Sequence, residues 1–163
     1  MHQKQLEQLY LQCQKELYLY LYGLCQNQAL AEDLVQETFL KALLSLPDHH
    51  PNFRAWLYLV ARNLFLDTQR KDSRLEPLDR EPPGTEDILW NRLLADEQKS
   101  ALYEALGTLE PRKREILLLQ YFSRLPQKEI AALLHLRPDH VRVLASRGRQ
   151  ELKTRLEELG YDL

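Results

Sequence analysis

Scarcity narrows the class of this protein first. With five glycines and eight prolines in 163 residues, the chain has no collagenous or low-complexity body. No apolar run approaches the roughly 18 residues that cross a bilayer, and Met1 to Gln5 lacks the apolar stretch of a signal peptide. These absences lead to the expectation of a cytoplasmic protein with no membrane insertion. The two cysteines, Cys13 and Cys25, form no CxxC and have no histidine cluster beside them, so neither a disulfide framework nor a zinc site is expected. Both read as small buried thiols. His49-His50 is a pair without a third ligand, and no metal is expected there. The catalytic patterns HExxH, GxxxxGK[ST] and GxSxG are missing, and no cysteine stands at a nucleophile's spacing from a histidine. No catalytic site is expected.

An excess of one charge is also missing from the whole chain, but not from its parts. The net charge is -2, yet residues 1–75 balance to zero, residues 76–98 carry about -5 and residues 99–163 about +3. The positive charge is concentrated between Arg137 and Arg155, where Arg137, Arg142, Arg147, Arg149, Lys153 and Arg155 face only Asp139 and Glu151. A local basic stripe of this kind bears on nucleic-acid binding more directly than the global balance does.

Helical spacing dominates throughout, and no segment alternates as a strand would. Leu6, Leu9, Tyr10, Cys13, Leu17, Tyr20, Leu21 and Leu24 form one apolar stripe. A second helix is expected from Leu30 to Leu46, stopped by Pro47, and a third from Phe53 to Lys71 after a polar loop. Residues 72–88 contain three prolines and a run of acids, the composition of a linker. Periodicity then resumes, Glu110-Pro111 opens a helix reaching Phe122, and Pro126 and Pro138 suit the first turns of two further helices. The expected fold is all-α: two small helical domains, residues 1–74 and 89–163, joined by an acidic, proline-rich linker over 75–88.

Three constellations stand out. The helices from Pro126 to Leu134 and from Pro138 to about Leu159 have helix-turn-helix spacing. Ile130, Ala131, Leu134, Leu136, Val141 and Leu144 sit where crossing helices must bury small or apolar groups. That leaves Arg137, Asp139, His140, Arg142, Ser146 and Arg147 on the open side, where a helix in a major groove meets base edges and phosphates. His135 takes the turn position that glycine usually fills, and Arg137 is a poor N-cap. The third helix places Trp56, Leu57, Val60, Ala61 and Leu64 in its core stripe, with Arg54, Tyr58, Arg62, Asn63, Gln69, Arg70 and Lys71 outside. This is a mixture suited to strand backbone and unpaired bases. On the second helix Asp33, Gln36, Glu37 and Leu40 share one face, opposite Val35, Thr38, Phe39, Ala42 and Leu46. Periodicity alone reads that polar face as simply solvated.

Taken together, these segments resemble the extracytoplasmic-function (ECF, group four) sigma factors of bacterial RNA polymerase. Ala31-Glu-Asp-Leu-Val-Gln-Glu-Thr-Phe-Leu-Lys-Ala42 resembles the family's region 2.2, and Phe53 to Arg70 its regions 2.3 and 2.4. Leu109 to Phe122 and the helix-turn-helix resemble region four. The resemblance implies a transcription initiation factor with no cofactor and no catalytic activity, whose partners are core RNA polymerase, promoter DNA and, in some members, an anti-sigma factor. It assigns Asp33, Gln36, Glu37 and Leu40 to the polymerase clamp. Pro47, Asp48, His49, His50, Asn52, Arg54, Tyr58, Arg62, Asn63, Arg70 and Lys71 are assigned to the minus-ten element, with a base flipped into a pocket. To the minus-thirty-five element it assigns Arg112, Lys113, Lys128, Arg137, Asp139, His140, Arg142, Ser146, Arg147 and Arg149, with Lys113 near a phosphate. Pro47-Asp-His-His-Pro51 lacks the Phe-Arg-Gly pattern of relatives, and Gly148 replaces a customary alanine at a cost of about 1 kcal/mol. A DNA-binding regulator independent of polymerase, or an interaction protein that reads no DNA, would use fewer of these features.

Overall fold

The computed structural model describes residues 3–45, 52–74 and 97–161. All of their regular structure is helical: α1 (Gln3–Cys25), α2 (Gln28–Ser45), α3 (Phe53–Arg74), α4 (Glu97–Gly107), α5 (Pro111–Leu118), α6 (Gln127–Leu134) and α7 (Pro138–Glu158). The chain divides into two compact units, Met1–Pro82 and Pro83–Leu163. The segment expected as a linker over 75–88 lies outside the described residues.

In the first unit α1, α2 and α3 all pack against one another. Asparagines set the two helix starts. The Asn27 side-chain oxygen accepts the Leu30 amide at 3.0 Å, and that of Asn52 accepts the Ala55 amide at 3.0 Å, so each satisfies an N–H that its helix cannot. Gln26, in the left-handed region at φ 51°, ends α1. Edge-on ring pairs tie α1 to its neighbours: Tyr10 with Phe39 of α2 at 4.7 Å, and Tyr20 with Tyr58 of α3 at 5.2 Å. At the same end Arg54 donates to Glu16 at 3.3 Å. Cys13, Leu17, Tyr20, Leu21 and Leu24 are buried as the periodicity predicts. Tyr18 and Tyr22 are buried too, so α1 is covered over a wider arc than one stripe.

The second unit is organised around α7, which packs against α4, α5 and α6. Val141, Ala145, Gly148, Leu152 and Leu156 form its buried stripe. Polar side chains fasten the shorter helices. Arg114 donates to the carbonyls of Leu106 at 2.9 Å and of Gly107 and Leu109 at 3.0 Å, satisfying the end of α4. Burial lowers the pKa of this guanidinium. Beyond Leu118, α5 widens into a π-turn, Leu119–Ser123. Ser123 closes it, its hydroxyl donating to the Leu119 carbonyl at 2.6 Å and accepting the Leu125 amide at 3.1 Å.

Candidate functional site

Each of the three expected surfaces has a definite place. On α2, Val35, Thr38, Phe39 and Ala42 are buried as expected, and the Thr38 hydroxyl is satisfied by the Leu34 carbonyl at 2.6 Å; Leu46 lies outside the described residues. Asp33, Gln36, Glu37 and Leu40 are exposed together. The sequence reading missed the continuation of this face: Leu40, Leu43 and Leu44 are 55%, 57% and 76% exposed. Residues 33, 37, 40 and 44 form one row at steps of four, three and four. The row is acidic at one end and leucine-rich at the other.

The outer surface of α3 differs from expectation in one respect. Tyr58, expected outside, is fully buried against Tyr20, whereas Trp56 and Val60, expected in the core stripe, are only partly buried. The reason is that α3 faces two neighbours, so two adjacent rows are covered: Leu57, Ala61 and Leu64, and beside them Tyr58 and Phe65. Phe65, an apolar residue seven positions beyond Tyr58, was the signal for the second row. Tyr58 is therefore removed from the set available to an unpaired strand. Asn63 is exposed and shares its face with Leu59, Asp67 and Arg70; Arg70 donates to Asp67 at 2.9 Å. Arg62 is partly buried and Lys71 exposed. Asn52 serves as an N-cap and Arg54 joins α3 to α1. Pro47, Asp48, His49 and His50 lie outside the described residues.

The helix-turn-helix of the second unit is α6, the turn His135-Leu136-Arg137 and α7. His135 adopts the left-handed conformation at φ 57°, as its place in the turn requires, and the Leu136 amide donates to the Ala131 carbonyl at 2.9 Å. Arg137 provides no side-chain cap, and Pro138 begins α7. Pro126 is the N-cap of α6 and does not lie within its first turn. A side chain locks the two helix starts together, since the Gln127 amide donates to the Pro138 carbonyl at 2.8 Å. Lys128, Arg137, Asp139, His140, Arg142, Ser146, Arg147 and Arg149 are all exposed. Arg142 lies 3.4 Å from Asp139, and Arg149 reaches Gln120 of the π-turn at 3.0 Å.

Two residues expected on this surface also make contacts within the unit. Arg112 donates to the Leu134 carbonyl at the end of α6 at 3.0 Å, and Lys113 pairs with Glu151 of α7 at 2.6 Å. The resemblance assigned both to the minus-thirty-five element and set Lys113 near a phosphate; these partners are not visible in the sequence. Arg114, which it passed over, is the most heavily bonded of the three arginine and lysine neighbours.

An exposed acidic and leucine-rich row, an exposed asparagine on a polar helix face and a basic helix-turn-helix are therefore carried by one chain, and comparison with known proteins gives the combination its family. The family model for sigma-70 region 2 matches residues 9–75, and that for sigma-70 region 4 matches residues 99–152. Over 162 residues the chain is 30% identical to the RNA polymerase sigma factor YlaC of Bacillus subtilis, covering 93% of this chain and 92% of that protein. The chain belongs to the extracytoplasmic-function family of RNA polymerase sigma factors.

This sigma factor is also 28% identical to SigM of Bacillus subtilis, with 91% and 93% of the two chains covered. It is 37% identical to SigE of Mycolicibacterium smegmatis, of which it spans 56%. Among solved structures, its fold is similar to the sigma factor RpoE in complex with the anti-sigma factor NepR from Bartonella quintana. The TM-score is 0.75 at 24% identity, and 94% and 98% of the chains are covered. CnrH in complex with the cytosolic domain of CnrY gives a TM-score of 0.71 at 24% identity, over 96% and 90% of the chains. Family membership makes the chain a transcription initiation factor, not a catalyst. Among the described residues no helix is long and apolar enough to cross a membrane.

Proposed function

We propose that this chain, acting in the cytoplasm, docks on core RNA polymerase through the exposed row of α2, with Asp33, Gln36, Glu37 and Leu40 at the contact and Leu43 and Leu44 extending it. Residues 1–74 then serve the minus-ten element and residues 89–163 the minus-thirty-five element. The observation that carries the reading is the α2 row itself. A helix face that keeps carboxylates and three leucines in water gains nothing from folding alone, whereas a partner surface that is basic and apolar would bury both.

On α3, the exposed Asn63 holds a base after it leaves the stack, assisted by Arg62, Arg70 and Lys71. Opening a base-pair step costs about 1.4 kcal/mol in stacking, and each hydrogen bond made to the freed base edge returns about 0.5 to 1.5 kcal/mol. A few captured bases can therefore nucleate a bubble without nucleotide hydrolysis. On α7, Arg137, Asp139, His140, Arg142, Ser146, Arg147 and Arg149, with Lys128 of α6, face duplex DNA. The solved structures of RpoE with NepR and of CnrH with CnrY support a further element of this reading, regulation by an anti-sigma factor.

The test is a titration of core RNA polymerase with the full chain. Asp33→Arg and Glu37→Arg should each weaken binding at least tenfold, about 1.4 kcal/mol or more, with helix content unchanged. Glu7→Arg on exposed α1 should have no effect. Unchanged affinity in both α2 variants would remove the docking assignment.

A further inference from the structure

We propose that Val143 reads the 5-methyl group of a thymine in the major groove of the minus-thirty-five element; the inference rests on the assignment of α7 to that element. Val143 is 42% exposed and is the one large exposed hydrophobic within α7 among the described residues. Its angular position makes this exposure informative. The buried stripe of α7 runs through Val141, Ala145, Gly148 and Leu152. At 3.6 residues per turn, Val143 stands about half a turn away from the middle of that stripe. It is thus central to the face that points away from the domain. Its surface neighbours at three and four residues are Asp139, His140, Ser146 and Arg147, with Arg142 adjacent.

Valine contributes little to folding at such a place. Much of its surface stays in water, and it is a poorer helix former than the alanine, glutamine or lysine that a solvated position accepts. What it offers is a short, stiff pair of methyl groups, because a β-branched side chain in a helix keeps essentially one rotamer. Contact with a rigid apolar group therefore costs little side-chain entropy. In the major groove the thymine methyl is the apolar group that base edges present. Flanking arginines that hold phosphates would fix the helix deeply enough for a short side chain to reach it. Val143 lies in the second turn of α7, close to the helix start that Gln127 ties down through the Pro138 carbonyl. Base-edge contacts are made from this end of a recognition helix.

The experiment uses the full chain bound to core RNA polymerase. Duplex promoters randomised across the minus-thirty-five element are selected for binding, and each selected thymine is then replaced by deoxyuridine, which removes only the methyl group. The proposal expects one position at which the replacement weakens binding about fourfold, the effect of one buried methyl group. The same replacement should leave Val143→Ser holoenzyme unaffected, while that variant binds core polymerase as the parent does. If the parent selects a minus-thirty-five sequence but no deoxyuridine replacement matters, the Val143 assignment is wrong and the assignment of α7 stands. A replacement effect that persists in Val143→Ser also overturns it, by giving the methyl to another residue. If no minus-thirty-five sequence is selected at all, the reading of α7 fails and this inference fails with it.

Discussion

Replacing Arg114 by methionine should destabilise the second unit by about 2 to 3 kcal/mol, an amount set by the carbonyls left behind. The guanidinium satisfies three of them at 2.9 to 3.0 Å. One, that of Leu106, also accepts the Leu109 amide at 3.2 Å and is only partly abandoned. The carbonyls of Gly107 and Leu109 lose this partner in a region where the arginine itself is only partly buried. Water can approach, which places each near the lower end of the roughly 1 to 3 kcal/mol that an unsatisfied buried group costs. Methionine keeps much of the apolar stem, so lost packing adds little. Native-state hydrogen exchange reads the two units separately. Amides of Leu117 and Leu152 should lose protection roughly 30- to 150-fold, at tenfold per 1.36 kcal/mol. Those of Tyr20 and Leu57 in the other unit should not change. Arg114→Lys should recover part of the loss, because an ammonium lacks the fork that spans several carbonyls. A loss of protection below threefold in Arg114→Met would refute the capping role.

Three further outcomes follow from local geometry. Asn52→Ala should cost about 1 kcal/mol in urea unfolding of the first unit, the usual worth of an N-cap, and an unchanged midpoint would contradict the cap. Gly148→Ala should stabilise the second unit by about 0.5 to 1 kcal/mol, because the helix-propensity gain exceeds the cost of moving the end of Leu117 away from a new methyl group. The new Cβ would lie 3.3 Å from Leu117 Cδ1 and 3.4 Å from Lys113 Cβ; a drop in melting temperature would show that Leu117 cannot yield. Burial pushes the Cys25 thiol up to about 11 from its ordinary value of 9.0. Its alkylation at pH 8 should therefore be about a hundredfold slower in the native chain than in urea. Folding favours the protonated thiol, so its contribution to stability is complete below pH 9 and is lost as pH rises towards 11.

Periodicity located most helices because one apolar stripe per helix is enough to find an element. Proline also marked the starts of α5 at Pro111 and α7 at Pro138, since it restricts the backbone locally whatever the tertiary structure is. Periodicity was less successful where one helix meets two neighbours: on α3 the second covered row removed Tyr58 from the surface and left Trp56 partly exposed. Charge was ambiguous in a different way. Arg112, Lys113 and Arg114 are consecutive, and nothing in their spacing distinguishes a phosphate contact from a bond to Leu134, Glu151 or the end of α4. Those partners are 22, 38 and 8 residues away. The α2 face shows the opposite limit. Its residues were legible one by one, but its extension through Leu43 and Leu44 became evident only from their exposure. A leucine at helical spacing otherwise reads as core. Val143 escaped for the same reason, as a single apolar residue inside a basic helix.

The proposed roles of α2 in assembly and α3 in melting are separable, and one comparison tests that division most directly. Asn63→Ala, Asp33→Arg and the parent chain are each combined with core RNA polymerase on a duplex promoter and on the same promoter with a premelted bubble. Transcripts and permanganate-reactive thymines are then measured. An exposed asparagine can satisfy a base edge only after the base has left its stack. Asn63→Ala should therefore bind polymerase normally, open the duplex poorly and regain near-parental transcription on the bubble. Asp33→Arg should remain defective on both templates, because its loss is in assembly. Equal duplex opening by Asn63→Ala and the parent, or equal rescue of both variants by the bubble, would contradict the division of labour between α3 and α2.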